Sequence, residues 1–223
     1  MTPEESGSVT SLFRSIECAE GEIMPEAVKG YRPLLEVFNL LGEVFTSMVN
    51  QESGVPDSLP ESAPQRISLT AVLLQASMVP EYLIRSGQYW AAAAVIRQQM
   101  EALARVSQIR ISGISTNSKP PNVSVLPMDL PKSYGRLSEL VHVSNGEVLQ
   151  SFAESSTSEE AARAVPSYRH DWSVSLMIHH IKNLLVLALE IDLLHREIYC
   201  NQELIDFGPV LNRIASFLGE EAG

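Results

Sequence analysis

The stretch YGRLSELVH, residues 134–142, holds the pair of side chains best suited to chemistry, Arg136 and His142. A histidine titrates near neutral pH and can take a proton from a ribose 2′-hydroxyl. An arginine is permanently charged and can hold a phosphate while negative charge builds on it. On a helix advancing about 100° and 1.5 Å per residue, the two side chains stand ~120° and roughly 9 Å apart. They can flank one substrate only if something lies across that face, such as a second copy of the same helix. A plainer role suits them equally: a solvated polar face, with His142 at the helix C-terminus where positive charge is favoured.

Arg97 and Glu101 form a second constellation. They are four residues apart at the margin of an apolar helical stripe, so they can touch. The order Arg-then-Glu is the weaker one for supporting its own helix. The pair is either an ordinary boundary salt bridge or a brace for Ser138 and His142 on a neighbouring helix. Glu139/His142 and Asp192/His195 are both acid-x-x-His, the spacing used in di-iron bundles; Glu101 with Glu36 or Glu43 could complete such a set. His195 on an apolar seam also reads as a hydrogen-bonded core histidine. In HHIKN, residues 179–183, the adjacent histidines diverge by about 100° and cannot chelate together. They read as a solvated or partner-facing pair.

The Arg136…His142 spacing resembles the R-x4–6-H signature of HEPN domains, small all-helical proteins that are often dimeric. Many are metal-independent ribonucleases of bacterial toxin–antitoxin and phage-defence systems. The resemblance implies an RNA-directed effector with Arg136 and His142 as catalytic residues, meeting their copies at a dimer interface. Active members usually carry a polar residue after the arginine, where this chain has Leu137. AAAAVIRQQMEALARV followed by YGRLSELVHVS is also similar to HEPN-like bacterial helical proteins with an R-x3-E pair and a later LS-x3-H element. That resemblance groups Arg97, Glu101 and Ser138 as a polar cluster supporting His142. It implies no cofactor and no metal.

The bulk composition frames these readings. The chain has 223 residues, 45% of them apolar, enough for one sizeable core. Sixteen basic and 27 acidic residues leave a net charge of −11, and six Glu against one Arg fall in residues 1–26. Such a chain does not attract polyanions at long range, so an RNA reading requires a local cationic surface. The acidic charge and Leu137 favour another class, a non-catalytic helical protein-interaction module. Cys18 and Cys200 lack zinc-ligand spacing. The first residues lack a secretory pattern, and the run NLLVLALEIDLL is short and carries acids, so a cytoplasmic protein without a membrane partner is expected.

The elements that must position these residues are helices. Residues 1–24 read as an acidic, loosely ordered arm, with residues 25–223 as one bundle domain. A helix from Pro25 to near Gln51 carries the stripe Leu34, Phe38, Leu41, Phe45, Met48. Prolines make 51–65 a long loop. A helix over 66–86 is kinked or split at Pro80 and capped by Gly87. Another over 88–110 buries Tyr89, Ala93, Ile96, Met100 and Leu103. A second long loop covers 111–131, residues 147–165 are weakly helical, and the longest helix spans 168–201. A last helix near 203–218 is interrupted at Gly208-Pro209. The expected fold is all-α, a HEPN-like bundle of four to five main helices. Apolar seams in excess of one bundle's needs point to a homodimer, with RNA or a protein as further partner.

Overall fold

The computed structural model of the chain describes residues 3–51, 56, 58–113, 119–142, 166–199, 206–208, 210–212 and 214, with the side chains of 3–13 excepted. These residues form an all-α fold without strands. Seven α-helices are bounded: α1 Pro3–Gly30, α2 Arg32–Asn50, α3 Ala63–Gln75, α4 Val79–Arg85, α5 Tyr89–Ser112, α6 Leu130–Val141 and α7 His170–Ile198. A 3-10 turn covers Val123–Val125, and residues 207, 208, 210–212 and 214 are also helical.

Prolines set four of the helix starts. Pro33, Pro64, Pro80 and Pro131 each lie in the first turn of α2, α3, α4 and α6. The missing N–H costs nothing there, and the fixed φ suits the helix. Pro33 therefore divides what the apolar spacing joins: one expected helix from Pro25 is the end of α1 plus α2. Pro25 instead lies inside α1, which runs through position 24 with no boundary there. The C-terminal part of α1 is anchored by buried Ile23 and Ala27, and the following Tyr31 is buried as well. The loops are also shorter than expected, since α3 begins at Ala63 and α6 at Leu130. Gly87 ends α4 with φ +76°. Its N–H bonds the Ile84 carbonyl at 3.1 Å and the next N–H bonds the Leu83 carbonyl at 2.8 Å, so two orphan carbonyls are satisfied. The expected elements at 147–165 lie outside the described residues, and those at 203–218 do so in part.

Helix α7 is the axis of the bundle, packed by α1, α2, α3, α4, α5 and α6. It is buried nearly all round, through Leu176, Met177, Ile181, Leu184, Val186, Leu187, Ala188 and Leu194. The α2 stripe and the α5 stripe are both buried as the spacing predicts. Each such large side chain contributes about 1.5–3 kcal/mol on leaving water. α7 and the stretch Ala63–Arg85 are each long and apolar enough, by length and composition alone, to cross a membrane, a test that the core helix of a soluble protein also passes. Their use in the fold differs: 56% of the most apolar window is buried in α7 and 28% in Ala63–Arg85.

Candidate functional site: the α5–α6–α7 polar corner

Helix α6 uses one face to join the bundle. Leu130, Ser133 and Leu137 are buried, with Tyr134, Leu140 and Val141 half-buried beside them. Leu137 is 1% exposed, so its side chain is a core anchor. Tyr134 meets the Arg97–Glu101 pair on α5. Its hydroxyl donates to Glu101 Oε1 at 2.8 Å and accepts from Arg97 Nη2 at 3.2 Å, while Arg97 Nη2 lies 2.9 Å from Glu101 Oε1. The guanidinium also sits 5.3 Å from the Tyr134 ring centre. The hydrogen bond to Tyr134 holds the Arg97 pKa above its ordinary value. The pair thus reaches across to α6. The partner it engages there is Tyr134, which the spacing did not single out although it lies one turn before Ser138 on the same face. Among the described residues Ser138 Oγ is buried with no hydrogen-bond partner.

Arg136 and His142 take other directions. Both are exposed. His142 caps the C-terminus of α6, where its N–H bonds the Ser138 carbonyl at 3.0 Å. Neither residue joins the Arg97–Glu101–Tyr134 cluster. Arg136 faces α7 instead, close enough to help depress the pKa of His179. Burial is the main cause of that depression, Lys182 adds to it, and Asp129 opposes it. Lys182 binds Asp129 at the start of α6 through two bonds of 2.8 and 3.0 Å, which lowers the Asp129 pKa. Among the described residues Arg136 makes no ion pair. Lys132, four residues earlier and exposed, shares its side of α6. The result is a local basic corner of Lys132, Arg136 and Lys182, the last paired with Asp129, beside a His179 whose depressed pKa keeps it neutral near pH 7. Glu139 limits it to the first turns of α6.

The histidine pair of HHIKN is not a solvated pair. His180 is fully buried against Phe38, with its rings 5.6 Å apart, and its Nε2 donates to the Ser77 carbonyl at 2.9 Å. Burial pushes its pKa down to about 4. Helix α7 is packed by six other helices, so a histidine outside any single apolar stripe also falls inside. The residues required by the di-iron reading do not converge: among the described residues no three His, Cys, Asp or Glu gather as a metal site. Glu101 is taken by α6, Asp192 by Arg196 at 2.7 Å, and Glu36 by Arg32 at 3.5 Å.

A separate charged cluster was not legible in the spacing. Arg66 on α3 is 0% exposed, bonds Glu197, and has Nη2 4.0 Å from Glu190 Oε2. Glu190 also accepts from Ser107 at 2.6 Å and from Arg110 at 3.0 Å. This group ties α3, α5 and α7 together. Comparison with protein-family models, curated proteins and solved structures finds no match for the chain.

Proposed function

We propose that the chain is a HEPN-like helical protein that binds RNA through the outward side of α6, with Arg136 as the phosphate anchor. The observation that carries this reading is the exposed Arg136, which makes no ion pair among the described residues, beside Lys132 and Lys182 on a chain of net charge −11. A cationic corner of that size suits one or two phosphates, and phosphate contacts supply most sequence-independent affinity. The test is fluorescence anisotropy of a labelled mixed RNA pool over a range of salt concentrations. Arg136→Ala is expected to weaken binding and to lower the salt slope by about one. Wild type that fails to bind at roughly 50 mM salt would sink the reading.

The exposure of His142 favours a second reading, a metal-independent ribonuclease. Within one chain Arg136 and His142 diverge, so cleavage would require α6 of a second copy facing the first. RNA cleavage in EDTA that is lost in both R136A and H142A, and recovered on mixing the two variants, would support it. No cleavage by folded wild type would leave RNA binding as the function. The non-catalytic protein-interaction module draws on a different surface, the outward side of α3 and α4.

A further inference from the structure

Helices α3 and α4 are nearly one helix. The connecting residues 76–78 form a turn, with Ala76 N–H bonded to the Val72 carbonyl and Val79 N–H to the Ala76 carbonyl. At about 100° per residue, the exposed positions 67, 68, 71, 72, 75, 78, 79 and 82 all fall within one arc of roughly 140°. The buried positions 66, 70, 73, 80, 81 and 84 occupy the opposite side. The exposed arc includes Ile67 at 40%, Val72 at 62%, Met78 at 60%, Val79 at 41% and Tyr82 at 45%. Between 67 and 82 it contains no exposed charge, because Glu81 is buried. Its large apolar side chains present roughly 400–500 Å² to water, a patch size that is often functional on a soluble monomer.

We propose that this face binds the same face of a second copy, antiparallel, with Gln75 at the two-fold axis. Three features of the surface select that occupant. First, copies carrying −11 each repel, and an uncharged face is where they can approach most cheaply. The same charge, with no exposed Lys or Arg on the face, disfavours an anionic bilayer. Second, the face is self-complementary. Ser68 and Ala71 are small at one end, Met78 and Tyr82 are large at the other, and the central seam 68, 71, 75, 78, 82 repeats by three and four. Antiparallel pairing sets large against small, Tyr82 over Ser68 and Met78 against Ala71, with Val72 beside Val79. It also lets the two Gln75 amides bond each other, a polar contact that fixes register. Third, two such faces bury roughly 1,000 Å² in total, the lower limit for a specific interface, so the dimer is reversible.

This interface leaves the RNA surface free. On α5, Gln99 bonds the Ala76 carbonyl at 3.2 Å, whereas Arg97 and Glu101 meet α6. The α3–α4 unit and α6 therefore flank α5 on different sides, and pairing here does not bring the two copies of Arg136 and His142 together.

Sedimentation equilibrium from about 1 to 200 μM is the test, a range that brackets an interface of this size. Wild type should show a concentration-dependent dimer. V72E and V79K should each be monomeric with an unchanged melting temperature, because both positions face water in one copy. Mixing V72E with V79K should restore a heterodimer, since the two-fold places position 72 of one copy beside position 79 of the other. Three results would overturn the proposal: a wild type monomeric throughout, a dimer indifferent to V72E, or a monomer that co-sediments with phosphatidylcholine vesicles through this face. RNA binding by V72E tests the α6 reading separately.

Discussion

His180 should make the fold acid-sensitive. Its Nε2 carries the proton, because the Ser77 carbonyl can only accept. The remaining nitrogen, Nδ1, is buried and has no hydrogen-bond partner among the described residues. A second proton would place a full charge on a ring enclosed by the core and set against Phe38. Burial accordingly holds the folded pKa at about 4, against an ordinary 6.5. The unfolded chain then binds the extra proton first. Stability from this residue is complete above pH 6.5 and declines as pH falls toward 4. Each unit of pH in that window is worth about 1.4 kcal/mol, so about 2 kcal/mol is lost by pH 5 and about 3 kcal/mol by pH 4.

The perturbation is His180→Gln, which keeps an N–H donor for the Ser77 carbonyl and cannot titrate. Urea unfolding of both proteins at pH 7 and pH 5 reads the effect as a difference of differences, which cancels carboxylates common to both. H180Q should be less stable than wild type at pH 7, because the ring no longer fills its site beside Phe38. Between pH 7 and 5 wild type should lose about 2 kcal/mol more than H180Q. His179, depressed in the same direction, remains in both proteins and adds equally to each. Parallel losses in the two proteins would refute the reasoning. They would mean either that water reaches Nδ1 or that the ring is not enclosed as described.

Glu190→Gln should cost about 1.5–3 kcal/mol in urea unfolding, because the buried carboxylate that accepts from Ser107 and Arg110 becomes a neutral amide, while Arg66 keeps Glu197. Tyr134→Phe removes the hydroxyl that joins Arg97 to Glu101 and should cost about 1 kcal/mol, modest because all three groups are partly exposed. Gly87→Ala should destabilise by about 1–2 kcal/mol, read as a lowered melting temperature, since its φ of +76° strains any residue with a Cβ. That Cβ would also lie 3.1 Å from the Ser167 carbonyl oxygen.

Periodicity reads well where a helix offers one face to the core. The stripe from Leu34 to Met48 on α2 and that from Tyr89 to Leu103 on α5 could be taken from the sequence because each helix buries a single side. The same method fails on α7, where neighbours enclose the helix and its polar residues bond individually to backbone carbonyls of neighbouring segments. His180 bonds the Ser77 carbonyl and Asn183 the Ile96 carbonyl at 3.1 Å, so neither looks different in sequence from a surface residue. Proline position carried information that apolar spacing hid. Pro33 starts α2 inside an unbroken apolar pattern, and Pro25, read as a start, is internal to α1. The polar corner was legible only along single helices. Arg97 and Glu101 are neighbours by their spacing, but their engagement with Tyr134, and the position of Arg136 beside His179, depend on how α5 and α7 cross α6. Pairing Arg136 with His142 followed from their nearness in sequence. A six-residue separation on a helix turns two side chains apart, whereas an adjacent helix can bring a residue from more than forty positions away to the same corner. The neighbours of Arg136 on α7, Lys182 and the neutral His179, therefore come from across a helix interface, and any function assigned to Arg136 should be tested with those residues before His142.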